Sequence, residues 1–212
     1  MVKVGRKKDK EEIVEEYEID EEEKTKEDNL NNAVRAYKEA LKVYNLQEYP
    51  MEYAVTQNNL GMAYCVLAGI TKNEENLHNA VDAYKEALKV YSPEGYPLEY
   101  ATTQTNLAVA YSLLSEIEDK ERNLHNAIEA YKEALKVYNL QEYPTEYATA
   151  KYNLGMLYRL LSEIEDKERN LHNAIEAYKE ALKVYNLQEY PTEYATAKYN
   201  LGMLYRLLSE IE

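Results

Sequence analysis

Apolar residues recur at spacings of three and four along most of this chain, in two stripes per repeating block. In the block that opens at Asn123, one stripe is formed by Leu124, Ala127, Ile128, Tyr131, Ala134, Leu135 and Tyr138. That spacing marks the buried face of an α-helix. Glu129, Lys132, Glu133 and Lys136 lie between these positions and mark the solvated face. The pattern predicts a helix, called type B, over about 121–138. Asn139–Tyr143 breaks the rhythm, and Pro144 suits the first turn of a new helix, where its missing N–H leaves no bond unmade. A second helix, type A, is predicted over about 144–163, with its stripe at Tyr147, Leu154, Leu157, Tyr158, Leu161 and Ile164. The charged stretch Glu165–Arg169 leads to the next helix B. Both connections are short, so consecutive helices must be antiparallel neighbours.

The block repeats. Residues 123–165 and 170–212 are the same 43-residue string, and looser copies open at Asn29 and Asn76, so the four starts lie 47 residues apart. A fixed period of this size is the mark of a stacked array, whose units bury their apolar faces against one another. The predicted fold is therefore all-α, a solenoid of antiparallel helix pairs with about eight helices and no strands. Its repeats are 29–75, 76–122, 123–169 and 170–212, preceded by a charged segment, 1–28, read as disordered or as a degenerate cap helix in which Ile13 and Tyr17 are remnants. Ala33, Ala80, Ala127 and Ala174 recur in helix B, and Gly61, Gly155 and Gly202 in helix A, with Ala108 at the glycine position of the second copy. Glycine inside a helix costs about 1 kcal/mol relative to alanine. Its recurrence predicts a bulky neighbour pressing on the backbone.

Asn153, Leu154, Gly155 and Tyr158 on helix A, followed by Ala174, Ile175, Tyr178, Ala181 and Leu182 on helix B, resemble the tetratricopeptide repeat, and the pattern covers about 29–212. The unit is longer than the family's usual one, and is similar to the long variety of kinesin light chains and of prokaryotic proteins with a Tyr-Pro-x-Glu-Tyr-Ala element. The resemblance implies a right-handed superhelix whose concave face, lined by A helices, binds peptide segments of other proteins.

Asn59, Asn106, Asn153 and Asn200 each precede the buried leucine of a helix A, and so lie about 100° around the helix from it. A carboxamide both donates and accepts, and can pair with an extended peptide backbone without reading its sequence. The resemblance implies that use; the other reading is that each asparagine bonds a neighbouring helix within the array. One turn away lie Tyr152, Met156 and Arg159, repeated as Tyr199, Met203 and Arg206; the earlier copies have Asn58, Met62 and Cys65, then Thr105, Val109 and Ser112. The expected groove is therefore aromatic and cationic in its C-terminal half, and small or neutral in its N-terminal half. Asn58 and Met62 do not match the carboxylate clamp of the chaperone-binding members, so chaperone-tail binding is not expected.

Net charge is −14, with 39 Asp/Glu against 25 Lys/Arg. Such a surface repels nucleic-acid phosphates and favours neutral or basic peptide or protein segments as partners. There is no Phe or Trp, but there are 23 Tyr; many hydroxyls should therefore sit at the edge of buried surface. The lone Cys65 allows no internal disulfide and is read as packing or groove wall. No apolar run approaches the ~20 residues of a membrane span, and no signal sequence is apparent, so a cytoplasmic setting without membrane contact is the simplest expectation. His78, His125 and His172 occupy one repeat position, spaced by one helix-pair thickness of about 10–20 Å. They cannot share a metal, and helix-entry hydrogen bonding is expected of them. No phosphate-cradling loop and no nucleophile–base set stands out; the chain reads as no enzyme, with no cofactor.

Identity over 43 residues extends to exposed positions such as Asn139, Gln141 and Lys151, which drift at little energetic cost. Either the duplication is recent or a repeat was copied deliberately. The first function to expect is a non-catalytic scaffold binding extended peptides. The alternative is an engineered or duplicated array with a structural or self-assembling role. The final helix A is apolar at Leu204, Tyr205, Leu207 and Leu208 without a helix B to cover it, so head-to-tail self-association is also expected.

Overall fold

The computed structural model describes residues 21–211. Eight α-helices account for most of them, and there is no strand among the described residues: α1 Glu21–Ala40, α2 Pro50–Thr71, α3 Glu74–Ala87, α4 Pro97–Leu114, α5 Lys120–Ala134, α6 Pro144–Leu161, α7 Lys167–Ala181 and α8 Pro191–Leu208. Each helix packs mainly on its immediate neighbours in the chain, which is the contact pattern of a solenoid. Odd-numbered helices are type B and even-numbered ones type A.

Each A helix opens with Pro50, Pro97, Pro144 or Pro191 in its first turn. The turn before it is held by one side chain. Asn139 Oδ1 accepts from the backbone N–H of Gln141 and Glu142 at 3.1 and 2.9 Å, and Asn45 and Asn186 do the same. In the irregular second copy Ser92 Oγ takes over, accepting from Gly95 N–H at 3.0 Å, so the Ser92–Gly95 run preserves the turn by the weaker serine version of the same motif. At the other connection Asn123 and Asn170, both buried, donate to the carbonyls of Glu118 and Glu165 at 2.9 Å. Asp119 and Asp166 adopt left-handed φ of 39° and 38° there, a conformation aspartate tolerates better than most side chains.

Helix B ends four residues earlier than the apolar stripe does. Leu135–Tyr138 form a tight turn closed by i→i+3 bonds, Lys136 N–H to Glu133 O and Val137 N–H to Ala134 O, while Tyr138 stays buried. Ile164, expected on the buried stripe of helix A, lies past the end of α6 and is exposed. The first helix B starts at Glu21, eight residues before the opening of the first repeat at Asn29, and three glutamates in its first turn suit the positive end of the helix dipole. The last eight residues of the charged segment are thus continuous with α1; Ile13 and Tyr17 lie outside the described residues.

The core runs along the array as a strip, with Ala80, Ala127 and Ala174 fully buried. The bulky neighbour expected at the helix A glycines is a tyrosine of the next helix B. A methyl group added at Gly61 would come within 2.6 Å of the Tyr84 ring, and one at Gly155 within 2.9 Å of Tyr178.

Candidate peptide-binding groove

The A helices contact one another along one face. Asn58 Oδ1 on α2 accepts from Thr103 Oγ1 and Asn106 Nδ2 on α4 at 3.2 and 3.5 Å. Farther along, Asn200 Nδ2 on α8 donates to the Tyr152 hydroxyl on α6 at 3.2 Å. Between α4 and α6 lies a cleft of about 210 Å³ lined by Val109, Ser112, Leu113, Asn153, Met156 and Leu157, with Tyr131 of α5 also reaching it. The face carries exposed apolar side chains, with Met62 on α2, Val109 on α4 and Met156 on α6 at one repeat position, Val55 and Val66 on either side of Met62, and Tyr199 on α8. Helical spacing puts Val55, Met62 and Val66 on one stripe, of which the 47-residue register keeps the central position exposed and apolar at Val109 and Met156.

The asparagine ladder is engaged within the array. Asn153 Nδ2 donates to the hydroxyl of buried Tyr131 at 2.9 Å, and Asn200 Nδ2 to that of buried Tyr178 at 3.2 Å. A tyrosine hydroxyl cut off from water needs a partner, and the asparagine of the next A helix in the same repeat supplies it. Burial pushes the Tyr131 hydroxyl up to about 12, against the opposing effect of the Asn153 bond. Burial raises Tyr178 as well, the nearby Tyr152 adding to it. The Oδ1 atoms of Asn153 and Asn200 make no hydrogen bond to the described residues. Asn106 is tied to Asn58, and Asn59 makes no side-chain hydrogen bond to the described residues; in the first copy Asn58 takes the bridging part.

Tyr152 stands half-buried in the wall, its ring edge-on to Tyr178 at 5.3 Å between centroids. Tyr199, its equivalent on α8, is 68% exposed. Arg159 pairs with Glu163 at 3.1 Å and Arg206 with Glu210 at 2.9 Å, each one turn along its own helix. The structure thus brings Asn153 together with Val109, Ser112 and Met156, and Tyr152 with Asn200. It turns both arginines toward their own helix ends. Cys65 receives the Tyr84 hydroxyl at 3.8 Å, and burial pushes its thiol up, the opposite of what a reactive cysteine needs.

Two features of the array escape the helical stripe. Thr105, on the groove-facing position of α4, has a buried hydroxyl with no partner among the described residues. Tyr53, Tyr100 and Tyr147 donate to Glu86, Glu133 and Glu180 at 2.6, 2.6 and 2.7 Å, and those carboxylates also hold Lys89, Lys136 and Lys183. The signal was present in the sequence as a Tyr–Glu offset of 33 residues kept through three copies.

His78 and His125 pair with glutamates of the next A-to-B connection instead of capping helix entries. His78 Nε2 lies 2.9 Å from Glu118 and 3.6 Å from Glu74, and His125 Nε2 lies 2.9 Å from Glu165. Glu74, His78 and Glu118, and likewise Glu121, His125 and Glu165, place three ligand atoms close enough to meet one cation at the surface.

A family described as an uncharacterized protein conserved in bacteria (DUF2225) matches residues 116–211. No curated protein matches the chain. Among solved structures, the crystal structure of MamA aligns over 89% of this chain and 95% of that one, at 19% sequence identity and a TM-score of 0.49. The architecture rests on the helix packing itself. No described helix is long and apolar enough to cross a membrane.

Proposed function

We propose that this chain is a non-catalytic protein-interaction scaffold whose A-helix face takes up an extended peptide segment, neutral or basic. The observation that carries this reading is the cleft between α4 and α6, where Val109 and Met156 stand exposed beside Asn153. An apolar side chain of the peptide enters the cleft, and its backbone N–H groups meet the free carboxamide oxygens of Asn153 and Asn200. The ladder then has two tasks, its amide donors holding the tyrosines and its oxygens facing the ligand. The likeness to the tetratricopeptide repeat supports the same use of the face, and the net charge of −14 disfavours acidic ligands and nucleic acid.

The test is selection of peptides from a displayed library, followed by titration into wild type and into Val109→Glu/Met156→Glu. Both positions are exposed, so the helices should stand. Affinity should fall tenfold or more, about 1.4 kcal/mol. Selected peptides that bind the double variant as tightly as wild type would show that the groove is not the site.

A further inference from the structure

Glu74, His78 and Glu118 meet at one point of the surface, and Glu121, His125 and Glu165 repeat the arrangement 47 residues on; in each set the three ligand atoms lie within 4.8 Å of one another. Glu74 and His78 stand one turn apart on α3 and so share a face. Glu118 comes from the turn after α4, and its backbone is tied on both sides. Its N–H donates to Leu114 O, and its carbonyl accepts from buried Asn123 Nδ2, each at 2.9 Å. Leu161 and Asn170 hold Glu165 in the same way, at 3.0 and 2.9 Å. The backbones that carry the ligands are thus in place before any ion arrives.

His78 Nε2 lies 2.9 Å from a Glu118 oxygen and 3.6 Å from a Glu74 oxygen. A neutral imidazole has one N–H to give, so a hydrogen bond accounts for one carboxylate and leaves the other facing its like charge. A metal ion on the Nε2 lone pair engages both. Bonds of about 2.1 Å to a tetrahedral ion put neighbouring ligand atoms about 3.4 Å apart, between the two observed distances. The set also comes and goes together along the array. In the first copy the histidine and the second glutamate are both replaced, by Asn31 and Thr71. In the fourth, Glu168 and His172 are kept, and the remaining position falls on Glu212, outside the described residues.

We propose that the His78 and His125 sets each bind one divalent transition-metal ion of the Zn²⁺ class, with water completing its coordination. One imidazole with two carboxylates suits such ions, whereas Ca²⁺ takes about six to eight oxygens, more than either set supplies. Each ion clips the start of a B helix to the end of the A helix that follows. It does so across α3–α4 and α5–α6, contacts less extensive than α2–α3, α4–α5 and α6–α7. Neither set shares a residue with the cleft between α4 and α6, and metal binding does not depend on peptide binding there.

Calorimetric titration of ZnCl₂ into the chelator-treated full chain tests this. His78→Gln and His125→Gln should each lower the number of ions bound by one, and the double variant should lower it by two. Both histidines are exposed, and far-UV circular dichroism checks that each variant is folded. Glu118→Gln should weaken the His78 site at least tenfold and leave the His125 site intact. CaCl₂ at equal concentration should not displace Zn²⁺, and saturating Zn²⁺ should raise the urea midpoint of wild type by more than that of the double variant. A chain that takes up no Zn²⁺, a stoichiometry unaltered in the double variant, a Glu118→Gln chain that binds as tightly as wild type, displacement by Ca²⁺, or equal midpoint shifts would overturn the proposal.

Discussion

Gly155 and Gly202 stand in identical stretches of sequence, but Tyr178 lies against the first and open space against the second. Gly155→Ala should therefore destabilise the protein by about 1–2 kcal/mol, the crowding of the ring outweighing the gain in helix propensity. Gly202→Ala should stabilise it by up to about 1 kcal/mol. Urea midpoints of the two variants read the difference directly, and equal shifts would mean that the tyrosine does not press on the helix. Thr105 offers a second residue-scale check. Its buried, unpartnered hydroxyl contributes nothing to stability, so Thr105→Val should be neutral or stabilising by up to about 1 kcal/mol; a loss would reveal a partner for the hydroxyl. The glycine contacts were legible in the sequence as a recurring costly residue. The bonds from Asn153 and Asn200 to tyrosine hydroxyls were not, because a carboxamide at a groove-facing position fits a peptide and a neighbouring helix equally well until the position of Tyr131 or Tyr178 is known.

The helices read most clearly from the sequence where proline marks their start. Helix A was placed at 144–163 and runs over Pro144–Leu161. Helix B was overextended because Leu135 and Tyr138 keep the apolar rhythm through a tight turn, and a spacing of three or four does not distinguish that turn from continued α-helix. Adjacent A–B pairs are further joined by the Tyr–Glu–Lys clusters, which make stability depend on pH. The Glu86, Glu133 and Glu180 carboxyls are held below the usual carboxylate range by their lysine partners first and their tyrosine partners second. A carboxyl depressed in the folded state stabilises above its unfolded pKa and loses that stabilisation as pH falls through the folded value. Tyr100 and Tyr147 are pushed up to about 12, by burial first and then by the glutamate bond. A raised tyrosine stabilises below its ordinary pKa near 10, and that contribution is lost as pH climbs from there toward 12. Urea stability should decline on both sides of neutrality, and Glu133→Gln should flatten the acid limb. An acid limb unchanged in that variant would mean that the clusters do not couple to folding.

At the scale of the whole molecule, near-neighbour packing makes stability approximately additive along the array. Deleting residues 166–212 should leave a folded array of α1–α6, with a urea m-value smaller by about a quarter because less surface is exposed on unfolding. A deletion product without helical circular dichroism would show that the units do not stand by neighbour contacts alone. The repeat made the solenoid legible from sequence, since 47-residue self-similarity leaves few other ways to bury two stripes per unit. The register places Val109, Ser112, Asn153 and Met156 on one face, and they line one cleft. The ion pairs of Arg159 with Glu163 and Arg206 with Glu210 were not legible, because they depend on side-chain reach at the helix ends. Methyl resonances of the methionines test the central claim most directly. Met62, Met156 and Met203 occupy corresponding positions on the A-helix face, whereas Met51 packs against the core at the start of α2. A selected peptide should shift and broaden the signals of Met156 and at least one of Met62 and Met203, leaving Met51 in place. Binding that leaves all three groove methionines unmoved would contradict the account.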